Sequence, residues 1–158
     1  MKPRFVSKDD VSERDFYEIS AQDLASLPNF FEIPSPHFVA LLAFDARSVN
    51  SAAIEKLARN LLKSGCVYFC AWGPDCERVH DLFDSQCDKA TPLIMTTWHT
   101  NDSLDDVVWQ FTNCSWPADE YWDSSRSGLA LTVGSAEWEH HIHRRLSDLR
   151  GLSDDVLR

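Results

Sequence analysis

The sequence lacks any long hydrophobic run. Its longest apolar segments, such as Val39–Phe44, hold only a few residues, whereas a membrane-spanning helix needs about 20. The opening residues, MKPRFVSKDD, turn acidic where a secretory signal would carry its apolar segment. These absences exclude a bilayer-spanning segment, and we expect a soluble, cytosolic protein of one domain.

Basic residues are scarce relative to acidic ones. The chain has 15 Lys and Arg against 25 Asp and Glu, a formal charge of −10. Nucleic acids and anionic membranes reward clustered Lys and Arg, so both are disfavoured as partners. Residues 101–135 hold six acidic residues and one basic residue, which is half of the net charge. A basic protein partner is therefore a candidate, although many soluble proteins are simply acidic.

Familiar catalytic and cofactor motifs are also missing. No G-x-G-x-x-G, G-x-x-x-x-G-K-[ST] or G-x-S-x-G occurs, which removes the usual support for nucleotide-cofactor and serine-hydrolase chemistry. The five cysteines include no Cys-x-x-Cys. Cys66 and Cys70 would lie about 13 Å apart along one strand, too far for a disulfide. We expect free, mostly buried thiols, no metal site and no cofactor.

From residue 37 onward, apolar segments that suit buried strands alternate with segments of helical periodicity. The predicted strands are HFVALLAF (37–44), CVYFCAW (66–72), PLIMTTW (92–98) and GLALTV (128–133). Asn50 or Ser51 should cap the first helix, which Gly65 should end. Pro74 suits the first turn of the second helix.

Strands that are apolar on both faces, with amphipathic helices between them, indicate an α/β fold. We predict a three-layer, doubly wound sheet of four mainly parallel strands, with the order 2-1-3-4. Residues 37–150 form this domain. Residues 1–36 are predicted to be an N-terminal arm packed on it, with a short helix near Ser20–Leu27, and residues 151–158 a frayed tail.

Ligands of open parallel sheets bind at the carboxyl ends of the strands, near the point where the strand order reverses. The residues that we expect to converge at this edge are Asp45, Arg47, Trp72, Asp75, His80, His99 and Asp102. A catalytic version would use Asp45, His99 and Asp102, since a carboxylate beside a histidine can support general base catalysis. The plainer interpretation makes Asp102 a helix N-cap and lets His99 bind a loop carbonyl.

Two further features have structural interpretations that we favour. Cys76 at a helix start, one turn before His80, would suit a nucleophile, but it shares the apolar stripe of Val79 and is predicted to be buried. In the run WEHHIHRR, Glu139 and His143 face together at helical spacing, without a second ligand cluster. We predict a solvated helix face there.

A segment rich in aromatic and acidic residues, SWPADEYWDSSRSG (115–128), precedes the fourth predicted strand. Its candidate partner-binding residues are Trp116, Asp119, Glu120, Tyr121, Trp122 and Asp123. It should lie at the amino edge of the sheet, opposite the ligand loops. Aromatic side chains supply contact area at protein interfaces, and acidic neighbours select a basic partner. Alternatively, two of the aromatic side chains fold back over the core while the carboxylates stay in water.

The segments FDARS, CAWGPDCERVHD and TTWH resemble small bacterial α/β domains of unknown function, over roughly residues 37–146. That resemblance implies no activity, cofactor or catalytic residue. The first hypothesis is an acidic interaction domain of immunity or adaptor type that binds a protein partner. The second is a small enzyme or ligand sensor that uses the Asp and His residues of the carboxyl edge.

Overall fold

A computed structural model describes residues 1–89 and 92–158. Within them, six strands form one mixed sheet in the order β1-β2-β6-β3-β4-β5. The strands are β1 Arg4–Lys8, β2 Asp15–Ala21, β3 His37–Phe44, β4 Cys66–Trp72, β5 Met95–His99 and β6 Ser125–Val133. β1 is antiparallel to β2, and all other neighbours are parallel. The predicted α/β class and mostly parallel sheet are confirmed.

Helices cover both faces of this sheet. They are α1 Ser51–Ser64, α2 Cys76–Ser85, α3 Leu104–Asn113, α4 Ala136–Leu146 and α5 Leu149–Val156. Successive residues of β3 alternate between two apolar clusters, because side chains of a strand point to opposite faces. Leu42 packs with α1 and α2, whereas Leu41 packs with α3, α4 and α5. None of these helices has the length and apolarity needed to cross a lipid bilayer.

Local sequence signals set several element boundaries as predicted. The side chain of Asn50 accepts a hydrogen bond from the amide of Ala53 and caps α1. Gly65 ends α1 with φ of 112°, where a Cβ atom would collide with the carbonyl oxygen of Pro36. β4 spans Cys66–Trp72 as predicted. Pro74 lies just before α2 instead of inside its first turn.

The predicted strand order 2-1-3-4 was wrong. Numbered as the four predicted strands, the observed order is 4-1-2-3, because β6 inserts beside β3 and β5 lies at the far edge. β5 also starts at Met95 instead of at residue 92. The pairing of β5 with β4 begins at Met95, which lies opposite Tyr68. β6 begins at Ser125, earlier than predicted, because its first residues pair with β3.

The first 36 residues and the C-terminal residues, expected to form an arm and a frayed tail, contain regular strands and a helix. Residues 1–36 contribute β1 and β2, and β2 pairs along its whole length with β6, so this part of the chain belongs to the sheet. In place of a helix near Ser20–Leu27 there is a single 3₁₀ turn at Leu24–Ser26. The tail forms α5, which buries Leu152 against the core.

Candidate functional site

In the loops that follow β3 and β4 at the carboxyl edge, the acidic side chains are paired with arginines of the same chain. Arg47 donates from Nε and Nη2 to the carboxylate of Asp45 at 3.0 and 2.7 Å, which lowers the pKa of Asp45. Arg78 donates to Asp75 at 2.7 Å and to the carbonyl oxygen of Val49 at 2.8 Å. These pairs fix the loop conformations, and they leave each carboxylate with a cation already beside it.

His99 and Asp102 form the closest approach to a catalytic pair at this edge. His99 Nδ1 lies 2.7 Å from Asp102 Oδ2, and the ring is buried. The other nitrogen, Nε2, lies 3.0 Å from the hydroxyl of Thr97. The indole of Trp72 donates to the backbone carbonyl of Asp102 at 2.9 Å. Both ring nitrogens of His99 therefore have protein partners, and Ser103, not Asp102, caps α3.

The expected convergence of Asp45 with His99 and Asp102 rested on the strand order 2-1-3-4, which the structure does not have. Asp45 follows β3 and His99 ends β5, and β4 lies between them. Adjacent strands are spaced about 4.8 Å apart, so the two loops start about 10 Å from each other. Within residues 1–89 and 92–158, no hydrogen bond or ion pair joins Asp45 to either residue.

His80 lies beside the edge strand β5 and away from the loops. Its Nδ1 is 2.9 Å from Asp81 Oδ1, and its Nε2 is 2.9 Å from the hydroxyl of Thr96. Its ring packs on Trp98, with the centroids 4.5 Å apart. No group of three His, Cys, Asp or Glu residues in the described part of the chain could hold a metal ion.

Cys76 is a core residue of α2. Its side chain is buried with Val79 and Phe83, and its Sγ lies 4.0 Å from the hydroxyl of Thr100. The ring nitrogens of His80 contact Asp81 and Thr96, and no contact joins His80 to Cys76 within the described residues. The structure thus agrees with the buried, structural interpretation of Cys76.

The histidines of α4 do more than face solvent. His141 Nε2 lies 2.6 Å from Asp105 of α3, and His143 Nδ1 lies 2.8 Å from Glu18 of β2. The predicted pairing of Glu139 with His143 is replaced by these contacts, since Glu139 accepts instead from Ser20 at 2.8 Å. The partners of His141 and His143 lie on α3 and β2, and the spacing of residues along α4 alone could not predict them.

At the opposite edge, the loop from α3 to β6 presents two exposed tryptophans. Trp116 is 41% exposed and Trp122 is 51% exposed, and their rings stack with centroids 5.0 Å apart. A 3₁₀ turn at Asp119–Tyr121 joins them. Tyr121 is partly buried and packs edge-on against His37. The two tryptophans therefore lie on the surface instead of closing the core.

Three carboxylates accompany the tryptophans, and all three are exposed. Asp119, Glu120 and Asp123 have no side-chain hydrogen bond or ion pair within the described residues. The one basic residue of this segment, Arg126, is exposed and makes no ion pair with them there. We call Trp116, Asp119, Glu120, Trp122 and Asp123 the amino-edge surface. A groove of about 540 Å³ beside it is lined by Phe30, His37 and Tyr121, among others.

Sequence reasoning missed Arg14, a buried residue that supports this surface from below. Its guanidinium carbon lies 4.5 Å from the ring centroid of Trp116, and its Nη1 donates to Ser115 Oγ at 3.2 Å. The side chain is 2% exposed, and burial lowers its pKa to about 10. No local signal identifies Arg14, because the turn that carries it reaches the loop only through the pairing of β2 with β6.

The family of the chain follows from its sequence profile. The profile of a domain of unknown function (DUF7684) matches residues 11–149. The chain belongs to this family. The predicted resemblance to a family of unknown function is thereby confirmed, and the DUF7684 match starts earlier than residue 37, inside the turn between β1 and β2. The match includes Arg14 and the whole amino-edge surface. No curated protein matches the chain.

Proposed function

We propose that this DUF7684 domain is a non-catalytic interaction domain of immunity or adaptor type, and that its amino-edge surface binds a protein partner. The observation that carries the proposal is the pairing of two exposed, stacked tryptophans with three carboxylates that have no partner in the described residues. Tryptophan is the residue most enriched at the energetic centres of protein interfaces. Isolated carboxylates beside it favour a basic partner.

The contrast between the two edges of the sheet supports this choice. At the carboxyl edge, Asp45 and Asp75 each have an arginine, and Asp102 has His99. A ligand binding there would have to displace these contacts. At the amino edge, the carboxylates can bind a partner without breaking an internal contact, so that binding there costs their desolvation but no existing ion pair.

A small enzyme or ligand sensor is the second candidate. The close contact of His99 with Asp102 favours it, as does a cavity of about 690 Å³ at the carboxyl ends of β2 and β6. Gly134 and Ser135 line that cavity, whereas Asp45, His99 and Asp102 do not. The pair and the cavity therefore lie apart, which is why this function has less support.

Two charge-reversed variants test the proposal. Asp119, Glu120 and Asp123 are changed together to Lys in one, and Glu55, Glu77 and Asp154 in the other, so that net charge changes equally. Each tagged protein is purified at low salt from cells that naturally produce it. We expect the amino-edge reversal to reduce the recovered partner about tenfold and the control reversal to leave it nearly unchanged.

A third variant, Asp45→Ala with His99→Gln, separates the two candidates. We expect it to recover the partner as the unaltered chain does. If this variant loses the partner while the amino-edge reversal retains it, the carboxyl edge is the functional one. Thermal unfolding of all three variants checks that each remains folded.

A further inference from the structure

Three planar side chains, those of Arg14, Trp116 and Trp122, pack together at the amino edge. The Arg14 guanidinium and the Trp122 indole lie 4.5 and 5.0 Å from the Trp116 ring centroid. Both groups therefore contact the Trp116 ring. Arg14 is buried and Trp122 is half exposed. Trp122 is the most solvent-exposed of the three groups.

The buried part of this stack is held in place by contacts with α3. Ser115 accepts a hydrogen bond from Arg14 and donates its own to the carbonyl oxygen of Phe111, in the last turn of α3. Arg14 in turn lies under Trp116, and no carboxylate ion pair holds it within the described residues. The stack is thus preorganised on its buried side, which reduces the entropy lost when a partner orders its outer side.

The exposed indole ring of Trp122 is electrostatically suited to bind a cation. The face of an indole carries the negative part of the ring quadrupole and attracts cations more strongly than other aromatic rings do. Asp119, Glu120 and Asp123 are neighbours of Trp122 in the sequence, are exposed, and have no partner among the described residues. Ring face and carboxylates therefore favour the same kind of group.

We infer that Trp122 binds an arginine side chain of the partner, an inference that rests on the proposed function. A guanidinium is planar, stacks on an indole and can bridge to a carboxylate through two N–H groups, whereas an ammonium cannot do both. Within this chain, Arg14 already makes the equivalent contact with the ring of Trp116.

The test uses short peptides of defined charge. Three glycine-spaced peptides carry three arginines, three lysines or three citrullines, the last being neutral and of the same shape as arginine. Each is titrated into the ¹⁵N-labelled chain while the indole N–H signal of Trp122 and the amides of residues 119–123 are followed. We expect these signals to shift with the arginine peptide, which binds about tenfold more tightly than the citrulline peptide and more tightly than the lysine peptide.

Matched variants assign the effect to the ring. Trp122→Leu should weaken binding of the arginine peptide about tenfold, and Trp122→Phe should restore part of it, because phenylalanine keeps an aromatic face. Trp98→Leu removes an exposed tryptophan elsewhere on the surface and should change nothing. Amide spectra of each variant confirm that it is folded.

Two outcomes overturn the inference. One is equal binding of the arginine peptide and either control peptide; the other is unchanged binding of the arginine peptide by Trp122→Leu. Neither outcome touches the proposed function, which is tested separately by whether the amino-edge charge reversal releases the natural partner. In the converse case, the natural partner still binds the charge-reversed variant while the arginine peptide binds specifically to Trp122. That result would reject the proposed function and retain the arginine-binding site.

Discussion

Whether a carboxylate of this protein is available depends on the cations within its reach. Asp45 and Asp75 have arginines two and three residues later, and each closes a short-range pair. The first basic residue after Asp119 and Glu120 in the sequence is Arg126. Arg126 makes no ion pair with either of them in the described part of the chain. For these four carboxylates, the spacing of opposite charges along the sequence separates the occupied from the available ones.

Asp105 is a carboxylate whose partners stabilise the folded state. It accepts two hydrogen bonds of 2.9 Å from Arg145 and one contact of 2.6 Å from His141. The hydrogen bonds from Arg145 are the main cause of a pKa lowered to about 2. A carboxylate with a lowered pKa in the folded state stabilises that state above its unfolded pKa of about 4. This contribution is lost as the pH falls toward 2.

Replacing Asp105 by Asn should lower the free energy of unfolding at pH 7 by about 1–2 kcal/mol, after allowance for its partial exposure. Urea unfolding of the unaltered chain and the variant at pH 7 and pH 2.5 measures this, and the difference should shrink at the lower pH. Asp106→Asn, at the exposed neighbouring position, should have little effect. A loss of equal size at both pH values would contradict the assigned role of the Asp105 carboxylate.

At the level of the elements, local signals determined what could be predicted. α1 was predictable because Asn50 caps it and Gly65 ends it, and β4 because seven apolar residues lie between that glycine and Gly73. β2 was missed because its burial comes from pairing with β6, over 100 residues later. α5 was missed because its apolar residues are sparse and Gly151 interrupts them.

Leu152 shows what α5 contributes. Its side chain is fully buried among the residues of α3 and α4, whereas Leu157, just after the helix, is 66% exposed. Leu152→Ala should therefore lower the free energy of unfolding by about 2–4 kcal/mol, through lost apolar burial and a cavity. Leu157→Ala should change it by less than about 0.5 kcal/mol. Urea unfolding compares the two, and equal losses would mean that α5 does not belong to the core.

For the whole molecule, strand order decides which loops meet. The predicted order would have brought the loops after β3 and β5 together, but the observed order places β4 between them. The amino-edge position of the tryptophan loop was predictable, because any segment that enters a parallel strand from a covering helix lies at that edge. Its stack on Arg14 was not, since that contact needs the unpredicted strand β2 beside β6.

The net charge of −10 adds a long-range component to partner selection. A basic partner is attracted before contact, and salt screens this attraction over about 8 Å at physiological ionic strength. Under the proposed function, the unpaired carboxylates of the amino-edge surface would set where a basic partner docks, since Asp45 and Asp75 of the opposite edge are each paired with an arginine.

The location of the partner can be measured directly by site-specific photocrosslinking. A benzoylphenylalanine replaces Arg126, beside the amino-edge surface, or Arg47, at the carboxyl edge. Both positions are exposed arginines, so the charge change is the same. In cells that naturally produce the protein, we predict that position 126 crosslinks to a partner protein and position 47 does not. A crosslinked partner from position 47 alone, or from neither position, would contradict binding at the amino edge.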